Sequence, residues 1–561
     1  MTTGRDNPDR ADTPATRGRQ AVPATQRTAV LDTAHLGDIE GAFGRISISE
    51  SERARTLKTR FLTLLVIVGP GIIVMVGDND AGGVATYAQA GQNYGYSLLW
   101  VLLLLIPVLI VNQEMVVRLG AVTGVGHARL INERFGRGWG WFSVGDLFLL
   151  NFLTITTEFI GITLAADYIG ISKYIVVPVS AVALILITAS GSFRRWERAM
   201  FVFIAITLLQ IPMLVLAHPQ WGQVAKSFVV PTISGGVTSD AVLLIIAIVG
   251  TTVAPWQLFF QQSNVVDKRI TPRFIGYERA DTVLGAFVVV AGAAAIVITG
   301  DWAARSTDTF GGFTDAGGVA HLLARHSTVL GSLFAIVLLD ASIIGAAAVT
   351  LATSYAFGDV FGLKHSLHRG FSDAKQFYLS YAAMVALAAA IVLIPGAPLG
   401  LITTAVQALA GLLLPSASVF LLLLCNDREV LGPWVNRPWL NWVAGLIVGT
   451  LLLLSGILMA TTLFRDLNVV AVAGYLAGAL VVLAAGTGLL LLWRGRRRAT
   501  PTTPQPPARP IDRTAWRMPP LTLLQPVTWS PGTRLGMIAL RGYLICGALL
   551  LVVKAVQVSR G

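Results

Sequence analysis

The chain has 561 residues, 54% of them hydrophobic and 13% charged, with a mean hydropathy of +0.68. Soluble domains carry about 25% charged residues, so the composition excludes a soluble globular protein and points to an integral membrane one. The formal net charge of +12 would suit a nucleic-acid binder, but the basic residues fall where membrane orientation alone accounts for them.

Residues 1–55 are polar, carry no signal peptide and predict a disordered cytoplasmic N-terminal tail. Apolar runs of the roughly 20 residues needed to span a bilayer then recur. They lie near 61–90, 96–117, 142–169, 173–192, 197–217, 240–262, 281–300, 328–356, 376–394, 398–425, 439–462 and 468–493. Residues 56–498 are therefore expected to form one polytopic domain of about 12 spans. The stretch 499–533, with "PTTPQPPARP" at its heart, predicts a Pro-rich linker. In the C-terminal segment 534–561, the apolar run 536–557 contains Arg541 and Lys554, and reads as either an extra span or an interfacial helix.

Basic residues cluster in alternate connections. Arg53, Arg55, Lys58 and Arg60 precede span 1, Arg118, Arg129, Arg134 and Arg137 follow span 2, and Lys268, Arg269, Arg273 and Arg279 follow span 6. Arg194, Arg195 and Arg198 follow span 4 and Arg494, Arg496, Arg497 and Arg498 close span 12, whereas the outer connections hold few. This asymmetry predicts a multi-pass protein of the plasma (inner) membrane with a cytoplasmic N-terminus. The bilayer is the expected partner, and nucleic acid is not. Cys425 and Cys546 provide neither a disulfide framework nor a thiolate metal site.

Span 1 contains "GDNDAGGVAT", residues 77–86. An acid inside the hydrocarbon costs roughly 2.5–3.5 kcal/mol on insertion scales. Asp78 and Asp80 must therefore face water, a partner or a cation. The plain alternative is a pair of acids at a water-exposed helix end. Gly77, Gly82 and Gly83 are poor helix formers, so the helix is expected to unwind here. Unwinding frees backbone carbonyls, and carbonyls beside a carboxylate suit a hard cation. Span 6 is interrupted in the same way: in "IVGTTVAPWQLFFQQS", residues 248–263, Pro255 removes an amide donor after Gly250, Thr251 and Thr252. Breaks in spans 1 and 6 are the offset expected of inverted repeats, spans 1–5 and 6–10, around a central transport site.

At these residues the sequence resembles the Nramp family of divalent-metal transporters, and within it the Nramp-related magnesium transporters. The match runs through "GPG" at 69–71, "DAGG" at 80–83 where the family has Asp-Pro-Gly-Asn, "ATYAQAG", "YGYSLLW" and "RLGAVTG". It continues in "TTVAPW" at 251–256, where the family has Ala-Thr-Val-Met-Pro-His, and in "QALAGLLLP" at 407–415, and covers about residues 61–430.

The resemblance implies an all-α integral membrane protein of LeuT-like fold with additional C-terminal spans. It implies a divalent metal ion as the transported substrate, with no cofactor and no enzymatic activity. Carried over by position, Asp80 is the metal carboxylate, Thr251 offers a backbone carbonyl and Gln407 an amide. Gly83 stands where the family has its asparagine ligand, Ala254 where it has methionine, and Trp256 where it has histidine. In span 3, Glu158 fills the second of two acid positions and Ile155 the first.

A thioether favours late transition metals. Its loss leaves oxygen ligands, and the two small residues are expected to make room for a hydrated ion, since magnesium keeps its waters. These departures predict magnesium transport, with manganese also accepted, by alternating access and without proton coupling. The alternative is an ordinary proton-coupled manganese or iron transporter of the family, and a more distant one is a LeuT-fold amino-acid carrier. "DND" at 78–80 also matches the Asp-x-Asp of nucleotide-sugar transferases, but no soluble catalytic loop accompanies it. Glu114 is expected to pair with Arg118 one turn on. Asp340, in span 8, is expected either to pair with a base or to line the path. Asp146 and Asp167 are expected to be solvated.

Overall fold

The computed structural model describes residues 33–47, 56–305, 307–396, 399–464, 467–497, 512–514, 516–527, 529 and 531–560. Span 1 is three pieces, α1 (Leu57–Ile67), α2 (Pro70–Val76) and α3 (Ala81–Tyr94), followed by α4 (Leu99–Thr123), the short α5 (His127–Phe135) and α6 (Arg137–Ile169). Then come α7 (Lys173–Thr188), α8 (Phe193–Thr207), α9 (Gln210–Leu216) and the surface helix α10 (Trp221–Val229). Span 6 is the pair α11 (Ser239–Thr252) and α12 (Pro255–Asp267), followed by α13 (Ile275–Ala304), α14 (Ala316–His326), α15 (Thr328–Phe361), α16 (Lys375–Leu393) and α17 (Leu399–Cys425). The chain closes with α18 (Arg428–Leu431), α19 (Pro438–Leu463), α20 (Val469–Arg497) and α21 (Pro531–Arg560).

Each predicted span corresponds to a helix or a broken set of helices. Among the described residues, nine helices are long and apolar enough to cross a membrane, and α1 with α2, bent by 49°, makes a tenth. The two predicted spans missing from this count are α7 and α17, of which α7 and the Pro415–Cys425 part of α17 are short apolar helices, while α3 runs on into α4 as one 43-residue stretch.

Both breaks have local causes. The α2 helix ends at Gly77, and the amides of Asp78 and Asn79 make only turn-type bonds, to Met75 and Val76 carbonyls at 3.2 Å each. Asp80 then adopts extended backbone and caps α3, its Oδ1 accepting the Gly83 amide at 2.7 Å. In span 6, Pro255 opens α12 and cannot supply the amide that would close on the Thr251 carbonyl.

The tail expected to be disordered over 1–55 contains ordered structure. Residues 33–47 include a hairpin, β1 (Ile39–Gly41) and β2 (Gly44–Ile46), with Ile39 opposite Ile46. Buried Ile39 and Ala42 anchor it. The Ala42 amide donates to Glu197 at 2.5 Å, Arg198 Nε donates to the Ala42 carbonyl at 2.9 Å, and Phe43 meets Phe201 at 4.7 Å. The segment is polar because its order comes from hydrogen bonds to the membrane domain and little from a core of its own. The remaining expectations for 1–55 and for the 499–533 linker fall largely outside the described residues.

Glu114 does pair with Arg118, at 3.2 Å, and also with Arg279 across to α13. Asp146 is half-buried rather than solvated and accepts the Ser416 hydroxyl at 2.8 Å, because α17 packs across this part of α6. Asp167 is exposed as expected. Asp340 is buried, and neither of its carboxyl oxygens has a hydrogen-bond partner.

Candidate metal-transport site

The cap that starts α3 also starts the site. Asp80 is 4% exposed and Glu158, midway along α6, is 0% exposed, so both acids sit where water does not reach them freely. Glu158 Oε2 accepts the Ala81 amide at 3.0 Å, which places its carboxyl group beside that of Asp80. Two bare carboxylates so close repel, and a proton or a cation at the pair relieves that repulsion.

Gly345 on α15 allows this meeting. A Cβ there would lie 2.7 Å from Glu158 Oε2 and 2.8 Å from the Asp80 Cβ. The small-residue run 341–354 thus brings α15 close against α3 and α6.

The second broken helix is tied to the first by two side-chain bonds. Tyr87 and Thr252 share a hydrogen bond of 2.7 Å between α3 and α11. Gln257 on α12 donates to Asp78 Oδ1 across the breaks. Asp78 is 0% exposed, so a water-exposed helix end does not describe it. Thr251, one residue from the end of α11, and Ala254, the residue preceding α12, are both buried at the second break. The Gln407 backbone belongs to α17, and its side chain lies outside the described residues.

Several oxygens here are buried and unpartnered: Asp78 Oδ2, Glu158 Oε1 and Thr251 Oγ1. Buried polar atoms without partners are uncommon, and a carboxylate-rich set of this kind suits a hard cation. Among the described residues no group of three His, Cys, Asp or Glu is arranged to hold a metal. A cation at Asp80 and Glu158 would accordingly complete its shell with carbonyl, hydroxyl and water oxygens. A cleft between α3, α6 and the 313–316 connection reaches Ala81, beside Asp80.

The structure corrects one spatial expectation. The space over Gly83 is filled: a Cβ there would lie 2.9 Å from the Asp78 carbonyl oxygen and 3.3 Å from the Tyr87 ring. Gly83 lets the Asp78–Asp80 turn fold onto the first turn of α3. Asp78 with Gln257, Tyr87 with Thr252, and Gly345 were not singled out from sequence. The signal for Gln257 was present, since "WQLFFQQSN" is unusually rich in amides for an apolar span.

The family model described as "Natural resistance-associated macrophage protein-like", Nramp, matches residues 71–461. The "Divalent metal cation transporter MntH" of Lacticaseibacillus casei is 26% identical over 422 residues, covering 72% of this chain and 90% of that one. The protein of the same name from Ralstonia nicotianae is 29% identical over 404 residues, covering 68% and 87%. The fold matches that of the manganese transporter of Eremococcus coleocola with a TM-score of 0.58 at 22% identity, over 79% of this chain and 97% of that one.

Proposed function

The chain belongs to the Nramp family and is a membrane transporter, not an enzyme, and we propose that it carries divalent metal cations between its two broken helices. The observation that carries this reading is the meeting of Asp80 and Glu158, buried side by side at the break in span 1. In this reading Asp80 is the main ligand and Glu158 supplies the second negative charge. The Thr251 carbonyl and the Gln407 amide complete the protein's share, and Gly83 and Ala254 leave positions without a ligand side chain.

Manganese is the foremost cargo, being the metal in the name of the structural relative. The expectation that magnesium comes first has no support among the relatives. What favours magnesium as an additional cargo is donor chemistry: Ala254 offers no thioether and Trp256 no ligating imidazole, and the oxygens that remain serve both ions. Transport without protons rests on Trp256 and Ile155 alone, and the Asp80–Glu158 pair is itself titratable.

Flux into proteoliposomes, measured for manganese, magnesium and calcium with internal pH recorded, tests the reading. Saturable manganese entry is expected, with magnesium entering too and competing. Absence of entry by every divalent ion would overturn the proposal. Internal acidification that tracks metal entry and requires the protein would overturn the uncoupled mechanism alone.

Glu158→Gln is expected to raise the half-saturating manganese concentration roughly tenfold, about 1.4 kcal/mol, with little change in maximal rate. Glutamine keeps an oxygen for the Ala81 amide, so the local backbone should hold. An unchanged concentration dependence would leave Glu158 a purely structural acid.

A further inference from the structure

Alternating access requires a way out for the ion on each face of the membrane. The cleft at the 313–316 connection reaches the site from the face where α13 ends. On the opposite face, where α12 ends and the N-terminal hairpin lies, the way is shut. Every residue of α12 is buried.

Large side chains close it. Trp256, at the start of α12, meets Phe260 with ring centroids 6.0 Å apart, and Phe260 meets Trp196 of α8, also at 6.0 Å. Trp196 then meets Phe193 at 6.4 Å, and Phe193 stacks on His368 at 5.5 Å. His368 Nε2 lies 3.0 Å from the Asp267 carbonyl oxygen at the end of α12. The first four rings are fully buried, so a ring-filled seam between α8 and α12 runs from the break to the hairpin face. The Lys268–Glu197 pair, 2.6 Å long with both side chains 0% exposed, closes the same seam. Lys268 also donates to the Ile67 and Val68 carbonyls, which ties α1 to the α12 side.

The 33–47 segment straddles the seam. On the side of the broken spans, Arg269 Nε and Nη1 donate to the Ala34 and Asp38 carbonyls at 2.8 and 3.1 Å. Arg269 holds left-handed backbone, φ 65°, which a non-glycine residue keeps only where its surroundings fix it. Gly41 lies so close to the Val66 carbonyl of α1 that a Cβ would collide with it. On the other side are the Ala42 bonds to Glu197 and Arg198, the Phe43–Phe201 contact, and Arg369 Nη2 donating to Thr33 Oγ1 at 3.2 Å. Phe43, Arg198 and Thr33 are exposed, so water reaches this second set of grips.

We propose that this seam is the gate on the hairpin face and that the N-terminal segment 33–47 is its latch. The latch stays with α1 and α12 and lets go of α8 and Arg369 each time the ion passes this face. The ion pair suits a moving seam. The attraction within a buried pair is largely offset by its lost hydration, so Lys268 and Glu197 part at little cost once water enters. The inference rests on the transport reading and names the element that must move for it.

A reversible crosslink tests it, in a Cys546→Ser background that leaves only the buried Cys425. Phe43→Cys and Phe201→Cys, joined by a short bis-methanethiosulfonate, should lower manganese flux into proteoliposomes by roughly tenfold or more, since a gate held shut stops turnover. Reduction should restore the flux. A second arm leaves that contact intact. Ala42 is 3% exposed against α8, so the thiol of Ala42→Cys should react slowly with N-ethylmaleimide at rest and severalfold faster while manganese turns over. With Asp80→Asn added, the acceleration should vanish. Crosslinked protein that carries manganese at the parent rate, or Ala42→Cys labelling indifferent to transport, would overturn the latch and leave the transport reading standing. A parent that moves no divalent ion would overturn both.

Discussion

Asp80→Asn is expected to lower manganese flux by roughly 100-fold, about 2.8 kcal/mol of lost ion stabilisation, in a protein that still folds and inserts. Asparagine matters here because Asp80 has two duties. Its Oδ1 caps α3 through the Gly83 amide, and its charge faces Glu158. Asparagine caps a helix about as well as aspartate, whereas alanine loses roughly 1 kcal/mol at a cap. Asp80→Ala should therefore lose both flux and some stability, and Asp80→Asn flux alone. Flux within a few-fold of the parent for Asp80→Asn, with normal melting, would reduce Asp80 to a cap and pass the ligand role to Asp78.

The breaks and the acids were legible because their causes are local. Gly77 ends α2 where a glycine holds a helix poorly, although Gly82 and Gly83 fall inside the first turn of α3 rather than in the break; Pro255 cannot donate, and an acid in an apolar span is costly unless it is partnered. The space around those residues was not legible. Gly83 looked like a deleted ligand that leaves room, yet the Asp78 carbonyl occupies that room. Restoring asparagine there, together with Ala254→Met, would force the Asp78–Asp80 turn to move, so that double change tests packing as much as selectivity.

Contacts across long stretches of chain were equally hidden. Asp78 and Gln257 are 179 positions apart, and each alone reads as an awkward polar residue. The 33–47 hairpin escaped for a different reason. Its order is borrowed from Glu197, Arg198 and Phe201, and no hydrophobic periodicity announces such an arrangement.

Lys268→Met is expected to destabilise the fold by about 3–5 kcal/mol, the usual cost of stranding one partner of a buried ion pair. The Lys268 and Glu197 side chains are both 0% exposed, and the ammonium meets the carboxylate at 2.6 Å. Without Lys268, Glu197 keeps only the Ala42 amide among the donors described above. The Ile67 and Val68 carbonyls, at the bend between α1 and α2, also lose their donor. Glu197→Gln alone should also cost stability, because the ammonium and the Ala42 amide bind different carboxylate oxygens and glutamine's single oxygen can serve only one of them. The informative comparison is the double change, Lys268→Met with Glu197→Gln. It removes both charges, and buried pairs replaced as a unit are often nearly neutral. It should therefore melt above Lys268→Met alone, in detergent at one fixed lipid content. Strict additivity of the two losses, to within about 0.5 kcal/mol, would show that the pair is not coupled. The link between the hairpin, α8 and α12 would then have to come from the hairpin's backbone bonds instead.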